Sequence, residues 1–232
     1  MEKSDGPRKR FQPRGIEFLH EDRDIIVVSK DAGLLTMDDG HGGRTAYSAL
    51  TDYVKKGQPK SRARIFIVHR LDRETSGLLV FAKTEEAKTK LQEDWEQTEK
   101  VYLAIVEGRM EKEKGEITSL LAEGNNYTSY TTKDKKLGKE STTRWEVVKP
   151  IGDDRTLVRV TILTGRKHQI RLHMAELGHP VVGDVKYGKR IKGLRRIALH
   201  AFRLTFKHPW KGGEVSYEAP VPANFYGLGG LK

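Results

Sequence analysis

One nine-residue stretch concentrates side chains that could do chemistry. It runs His69-Arg70-Leu71-Asp72-Arg73-Glu74-Thr75-Ser76-Gly77, and the apolar run 78–82 follows at once. A carboxylate such as Asp72 acts as a nucleophile or base when it stays ionised, and a nearby arginine favours the charged form. Loops that carry such groups are held at strand ends by a rigid scaffold. These nine residues alone fit a catalytic loop and a solvated salt-bridge loop equally.

Several familiar catalytic motifs do not fit this sequence. His-Arg-Leu-Asp differs from the kinase catalytic loop, in which the aspartate directly follows the arginine, and no Asp-Phe-Gly accompanies it. Ser76-Gly77 lacks the Gly-x-Ser-x-Gly elbow of hydrolases. His168 and His173 are five apart, without a His-Glu-x-x-His motif, so no metal site is predicted. Because neither a phosphate-binding loop nor a dinucleotide fingerprint is present, we also predict no nucleotide cofactor.

Composition narrows the class of protein. Cysteine is absent, which excludes disulfides, thiolate metal sites and a thiol nucleophile. No stretch approaches the roughly 18 consecutive apolar residues of a membrane span, and residues 1–14 lack the apolar run of a secretory signal. We therefore expect a cytoplasmic protein.

Positive charge is concentrated in one part of the chain. The formal net charge is +11, and the segment 165–211 contains twelve Lys or Arg residues but only two acidic residues, Glu176 and Asp184. This concentration favours a polyanionic partner, with nucleic acid ahead of an anionic membrane. The alternative is a generally basic surface without a specific partner.

The elements that must position these residues are mostly β-like runs. Residues 1–14 are predicted to be a flexible basic arm, either an RNA contact or simply a tail. Helical spacing predicts helices over 45–55 and 168–177, and another that begins after Thr84 and buries Leu91 and Trp95. The predicted strands are 16–19, 25–28, 65–68, 77–83, 100–108, 117–121, 127–132, 142–148, 157–163, 197–206 and 215–217. This pattern predicts an α+β protein with a large, mainly antiparallel sheet.

Four ordered stretches of the chain share the motifs of one enzyme family. They are 69–83, which contains the opening stretch; Lys100-Val101-Tyr102-Leu103-Ala104-Ile105-Val106-Glu107-Gly108; 164–173 with 178–188; and 199–206. In these stretches, and in 21–30, the sequence resembles the RluA-type RNA pseudouridine synthases over about residues 15–222. It departs from them at Asp31, where the family usually has proline, and at Lys167, where Thr or Ser is common.

The resemblance implies a fold and a reaction. The expected pseudouridine synthase fold is a long, bent, mainly antiparallel mixed sheet in two halves, with flanking helices and a central catalytic cleft, over a catalytic domain of residues 15–232. The expected reaction isomerises a uridine in RNA to pseudouridine: the bond from ribose to the base nitrogen breaks, and ribose rejoins carbon 5. Because this isomerisation is redox-neutral, no metal, nucleotide or organic cofactor is expected.

The resemblance also implies roles for individual residues. Asp72 matches the catalytic aspartate, which either attacks the ribose or promotes a glycal intermediate. Arg171 matches the arginine that pairs with it, and Tyr102 the tyrosine that stacks on the target base and assists proton removal from carbon 5. The expected RNA-binding residues are Leu199 against the other face of the base, Arg70 in the space left by a flipped nucleotide, Arg166 at a phosphate or as a support residue, and His69 and Lys167 within the matched motifs.

The implied partner is structured RNA rather than DNA or a membrane. A stem-loop of ribosomal or transfer RNA is expected, because flipping a base costs least in a loop. The protein is expected to bind it as a monomer. One alternative is a catalytically idle RNA-binding or RNA-folding protein, but such a protein has no need of Asp72, Tyr102 and Arg171. Another is an aspartate-dependent hydrolase of glycosidic bonds, which lacks the expected second carboxylate.

Overall fold

The computed structural model describes residues 12–58, 60–125, 128–194 and 196–229, and it divides into two compact units. The first unit comprises the chain up to Thr98 together with Arg203–Pro220. The second comprises Glu99–Phe202 together with the chain from Val221 onward. Most of the basic arm predicted for residues 1–14 lies outside the described residues.

Eleven strands and three α-helices make up the regular structure of the described ranges. In chain order they are β1 (Ile16–Glu21), β2 (Ile25–Lys30), α1 (Ala46–Lys55), β3 (Phe66–Ile67), β4 (Ser76–Ala82), α2 (Glu85–Glu93), β5 (Glu99–Glu107), β6 (Lys114–Glu123), β7 (Ser129–Thr132), β8 (Lys139–Ile151), β9 (Arg155–Ile162), α3 (Gln169–Glu176), β10 (Leu199–Lys207) and β11 (Glu214–Glu218). Short 3₁₀ turns lie at Trp95–Gln97 and Tyr226–Gly229.

The first unit is organised around the fully buried strand β4. All seven of its residues are buried, and β2 pairs with it along its length, from Ile25 opposite Ala82 to Lys30 opposite Gly77. The strand order is β1-β2-β4, with β3 paired to β4 and β11 paired to β10, and these pairings are antiparallel. A strand that is buried on both faces has a continuous apolar sequence, which explains why 78–82 shows no alternation.

Capping residues determine where the helices of this unit begin. The Thr45 hydroxyl accepts from the Ser48 N–H at 3.0 Å, and the Ser48 hydroxyl accepts from the Thr45 N–H, also at 3.0 Å. Thr84 caps α2 by accepting from the Ala87 N–H at 3.1 Å. Each cap satisfies an N–H that has no partner within the helix, so the predicted helix starts are confirmed.

The predicted position of Trp95 on the buried face of α2 is wrong. The helix stops at Glu93, and Trp95 lies in the following 3₁₀ turn instead of on the buried face of the helix. Its indole ring stacks on the His69 imidazole, with ring centroids 4.6 Å apart. Trp95 thus contacts the loop that carries Asp72 instead of the buried side of the helix. The four-residue spacing of Leu91 and Trp95 in the sequence cannot show such a contact between distant segments.

The second unit has its own hydrophobic core. Its strand order is β5-β9-β8-β6-β7, and these pairings are antiparallel. Apolar residues of β5, β9 and α3 form the core together with Phe225, which is fully buried. The predicted α+β class and the large, mainly antiparallel sheet are confirmed. Nowhere in the described ranges is a helix long and apolar enough to cross a membrane.

Candidate active site

Asp72 lies in the first unit, in the loop that joins β3 to β4. Its carbonyl oxygen accepts from the Thr75 N–H at 3.1 Å, which closes a tight turn just before the buried strand begins. The side chain of Asp72 is half-buried, between the buried Leu71 and the exposed Arg73. This turn therefore holds a carboxylate just before the start of a fully buried strand.

The buried ammonium group of Lys30 binds the backbone of this turn. Lys30 ends β2 and has no exposed surface. Its Nζ donates to the carbonyl oxygens of Thr75 at 2.7 Å, Leu34 at 2.8 Å and Asp31 at 2.9 Å, and lies 3.4 Å from that of Arg73. A buried charge is tolerated only when such hydrogen bonds replace its hydration. Lys30 thus fixes the chain on the C-terminal side of Asp72.

A buried hydroxyl group fixes the other side of the turn. The Thr36 hydroxyl donates to the Leu71 carbonyl at 2.9 Å and accepts from the Leu71 N–H at 3.2 Å. Thr36 is only 3% exposed, so water competes little for these bonds. The backbone on both sides of Asp72 is therefore bonded to fixed groups.

The arginines that flank Asp72 have contacts of their own. Arg73 donates through Nε to the Gly33 carbonyl at 3.2 Å, and Arg70 places Nη1 at 3.6 Å from the sulfur of Met37. Arg70 is exposed, as its predicted contact with RNA requires. The predicted RNA contact His69 is half-buried, and its Nε2 accepts from the Val80 N–H at 3.1 Å. This bond and the stacking on Trp95 give His69 a role inside the fold.

Arg171 lies in the second unit, on α3, and forms a buried two-point ion pair with Asp184. Its Nε donates to Oδ2 of Asp184 at 2.7 Å, and its Nη2 donates to Oδ1 at 2.8 Å. Arg171 is 2% exposed and Asp184 is fully buried. A guanidinium has five N–H donors, and this pairing uses one edge of the group, which fixes its plane.

Asp184 is itself tightly positioned. Burial would raise the pKa of its carboxyl group, but the hydrogen bonds and charge of Arg171, with the N–H groups of Lys186 and Tyr187, hold that pKa below its usual range. The preceding Gly183 has φ +81°, and a Cβ there would lie 2.5 Å from the carbonyl oxygen of Arg196. Only glycine fits this close approach, which leads the chain to Asp184.

An aromatic ring covers one face of the same guanidinium. The Tyr187 ring centroid lies 5.4 Å from Cζ of Arg171, and the Tyr187 hydroxyl contacts Nδ1 of His168 at 2.8 Å. His168 precedes α3 with φ +56°, a backbone conformation that residues other than glycine adopt rarely. Arg171 is therefore held at its edge by Asp184 and at its face by Tyr187.

Two further predicted residues of the second unit lie on strands. Tyr102 is half-buried on β5, opposite Val160 of β9, and packs against the core. Leu199 is 4% exposed at the start of β10 and belongs to the same core. The half-buried position of Tyr102 is compatible with a ring that both packs on the protein and meets a ligand.

The turn before α3 carries the two predicted basic contacts. Arg166 is exposed, whereas Lys167 is half-buried with Nζ 3.8 Å from a carboxylate oxygen of Glu123. The Gln169 side chain holds this turn by accepting from the Thr164 hydroxyl at 2.8 Å and from the Arg166 N–H at 3.0 Å. Gln169 was not singled out from the sequence, although it lies inside a matched motif.

One group of potential metal ligands occurs among the described residues. Ligand atoms of Asp22, Asp24 and His208 lie within 4.8 Å of one another. The Asp22 carboxylate already accepts hydrogen bonds from the N–H groups of Asp24 and Ile25, the imidazoles of His20 and His208, and the Lys211 ammonium. Burial would raise its pKa, but these donors, Lys211 foremost, hold it well below its usual range. Since the donors occupy the carboxylate, the group serves as a hydrogen-bond junction and is poorly suited to a cation.

Comparison with known proteins assigns the chain to a family. The sequence profile described as RNA pseudouridylate synthase matches residues 24–176, which include Asp72, Tyr102 and Arg171. The chain belongs to the RNA pseudouridylate synthase family. The resemblance found in the four motifs is therefore confirmed, and this pseudouridine synthase isomerises uridine in RNA.

Curated relatives cover most of this pseudouridine synthase. The uncharacterized RNA pseudouridine synthase YhcT of Bacillus subtilis is 34% identical over 218 residues, which cover 92% of this chain and 71% of the relative. The ribosomal large subunit pseudouridine synthase D of Vibrio cholerae is 35% identical over 239 residues, covering 95% and 72%. The dual-specificity RNA pseudouridine synthase RluA of Vibrio cholerae is 37% identical over 205 residues, covering 84% and 78%.

The solved structures agree with the sequence comparison. The human RNA pseudouridylate synthase domain containing 1 superposes with a TM-score of 0.73 at 26% identity, covering 92% of this chain and 87% of that one. Human RNA pseudouridylate synthase domain containing 4 shares the fold, with a TM-score of 0.75 at 22% identity. The pseudouridine synthase fold expected from the sequence is thus confirmed.

Proposed function

We propose that this pseudouridine synthase uses Asp72 as its catalytic aspartate on a uridine that is flipped out of a structured RNA. The observation that carries the proposal is the support of the Asp72 turn. A carboxylate in the family's matched motif is half-buried, and the backbone on both sides of it is hydrogen-bonded to the buried Thr36 and Lys30. Such preorganisation is what a catalytic group requires and what a surface salt bridge does not.

The other proposed roles follow from the matched motifs. Tyr102 stacks on the target base and assists proton removal from carbon 5, and Leu199 packs on the other face of the base. Arg171 is the arginine that keeps the catalytic aspartate ionised, and its rigid pairing with Asp184 supports a role that needs a fixed guanidinium. Arg70, which is exposed, takes the space of the flipped nucleotide, and the exposed Arg166 binds a phosphate.

The proposed substrate is a stem-loop of ribosomal or transfer RNA. Ribosomal RNA is the first candidate, because the name of the similar Vibrio cholerae protein refers to the large ribosomal subunit. The formal net charge of +11 suits a polyanionic substrate. We propose that a monomer binds it and that no DNA or membrane takes part.

Removing the Asp72 carboxylate tests the catalytic assignment. In the variant Asp72→Asn, turnover on the natural RNA should fall by at least about 100-fold, because an amide can act neither as a nucleophile nor as a base. Pseudouridines are mapped in total RNA from cells that lack the gene and carry either the parent gene or the variant. The matched control is Asp153→Asn, which alters an exposed carboxylate in the second unit and should restore the modification.

Two results would contradict the proposal. Full modification by Asp72→Asn would show that another group does the chemistry. Unchanged pseudouridine maps with and without the parent gene, together with RNA binding, would instead favour an idle RNA-binding protein.

A further inference from the structure

The Tyr187 hydroxyl lies at a junction between three segments of the second unit. It accepts a hydrogen bond from the Ser129 N–H of β7 at 2.7 Å, and it lies 2.8 Å from Nδ1 of His168. The Tyr187 N–H also donates to Oδ1 of Asp184 at 3.3 Å. The hydroxyl is thus tied to two other segments and the N–H to Asp184 in the same turn, while the ring between them faces the Arg171 guanidinium.

One hydrogen bond of this hydroxyl has a definite direction, and the other is one that its proton can make. The Ser129 N–H can only donate, so the Tyr187 oxygen accepts from it. Burial raises the pKa of Tyr187, so the hydroxyl keeps its own proton and can donate it to Nδ1 of His168. Replacing tyrosine by phenylalanine would leave the Ser129 N–H and the His168 nitrogen without this partner.

The backbone of His168 supports the importance of this contact. The residue occupies the N-cap position of α3 with φ +56° and ψ +18°, although an N-cap normally has an extended backbone. Outside glycine, Lys56 is the other described residue with a positive φ. His168 is only 9% exposed, and its ring meets the Tyr187 ring edge-on at 5.6 Å. A costly backbone conformation is retained where the surrounding contacts enforce it, often at functional sites.

We propose that Tyr187 is a positioning residue for Arg171, held in place by His168 and Ser129. The inference rests on the proposed function, because the part of Arg171 in the reaction is itself a proposal. Asp184 fixes the edge of the guanidinium, and the Tyr187 ring fixes its face. A small misplacement of a catalytic group lowers the rate of the chemical step more than it lowers substrate binding. Loss of the Tyr187 hydroxyl should therefore lower kcat more than it changes KM.

The variant Tyr187→Phe keeps the ring and removes only the hydroxyl. We expect kcat to fall by about 10-fold, with KM changed less than about 2-fold. The thermal unfolding midpoint should fall slightly, because buried polar groups lose a hydrogen-bond partner, so kcat is measured at a temperature well below it. Tyr130→Phe is the matched control, because Tyr130 adjoins Ser129 on β7 and is 43% exposed. Tyr187→Leu, which also removes the ring, should lower kcat further. A kcat for Tyr187→Phe equal to that of the parent overturns the inference.

A double-mutant cycle separates positioning from general support of the fold. If Tyr187 acts through Arg171, then Tyr187→Phe should have little further effect on the single-turnover rate of an Arg171→Lys enzyme. Equal effects of Tyr187→Phe in both backgrounds would overturn the inference. The variant Asp72→Asn distinguishes failure of this inference from failure of the proposed function. If Asp72→Asn is inactive while Tyr187→Phe matches the parent, only the positioning role of Tyr187 is wrong.

Discussion

At the residue scale, Lys30 and Arg171 carry charge where water hardly reaches them. Taking an ion out of water costs several kcal/mol unless polar groups that are already in place replace its hydration. Backbone carbonyls do this for Lys30, and the Asp184 carboxylate does it for Arg171. Each of these two side chains therefore also fixes the position of the groups that bond to it.

The pair of Arg171 and Asp184 gives a stability prediction. Asp184→Asn keeps the size of the side chain but leaves Arg171 as a buried cation without its carboxylate. The free energy of unfolding in urea should fall by about 3 kcal/mol, the usual cost of breaking a buried pair from one side. Asp153→Asn, at an exposed turn, should change it by less than about 0.5 kcal/mol. Equal stability of the two variants would mean that the pair contributes little.

The sequence predicts which residues take part better than it predicts their partners. Motif matches single out Asp72 and Arg171, because the residue types and their order can be read directly. The partners Lys30 and Asp184 also lie in matched stretches, but no sequence pattern shows that they are buried. Lys30 donates to Thr75, 45 positions along the chain, and such a contact exists only once β2 and β4 are paired.

At the element scale, α3 is attached to the sheet of its unit through a buried histidine. His173 has no exposed surface, and its ring nitrogens contact the hydroxyls of Ser119 on β6 at 2.9 Å and Thr143 on β8 at 2.8 Å. Burial lowers the pKa of His173 to about 4, because the charged imidazolium would lose its hydration. The helix that carries Arg171 is thus fixed to two strands by a neutral imidazole.

This histidine makes stability depend on pH. The folded state disfavours protonated His173, whereas the unfolded chain binds that proton near pH 6.5, so stability is lost as the pH falls below about 6.5. Between pH 7.5 and pH 5 the loss from this residue should be about 2 kcal/mol. His173→Gln can still bond both hydroxyls and does not titrate.

The comparison of parent and variant isolates the histidine from other titrating groups. Urea unfolding at several pH values should show a shallower slope for His173→Gln than for the parent. The nearby Glu176, whose pKa is raised by burial, is present in both proteins and cancels in the difference. Parallel pH curves would show that His173 already titrates normally in the folded protein.

The positions of helices and strands are predicted well where the spacing of apolar residues along the sequence determines them. Helix α3 was expected over 168–177 and occupies Gln169–Glu176, because its apolar residues recur at helical spacing. The left-handed backbone of His168 has no such sequence signature, since most histidines do not adopt it even though histidine does so more often than most other residues besides glycine. The misplaced Trp95 has the same origin, because a contact between distant segments outweighs the local period.

At the scale of the whole molecule, basic side chains are predicted to track the RNA backbone. Lys189, Arg190 and Lys192 are exposed in the segment 165–211. Each Lys or Arg that neutralises a phosphate releases counterions, so affinity should fall steeply as salt concentration rises.

Salt titration tests this prediction with the Asp72→Asn enzyme, which under the proposed function should bind RNA without turning it over. Lys189→Gln should lower affinity and reduce the slope of log affinity against log salt by about 1. Lys112→Gln removes an exposed lysine outside the segment and should leave the slope unchanged. A flat salt response of the parent would exclude a phosphate-tracking face.

The division into two units also determines how the chain can fold. The first unit needs Arg203–Pro220 to complete it, and the core of the second contains Phe225, so neither is contiguous in sequence. A chain emerging from the ribosome can therefore finish the first unit only after Arg203–Pro220 has been synthesised, and the second only after Phe225 has. Contacts between such distant residues slow folding and leave β-strand edges exposed meanwhile. The segment 203–225 is therefore the part of the chain on which completion of both units depends.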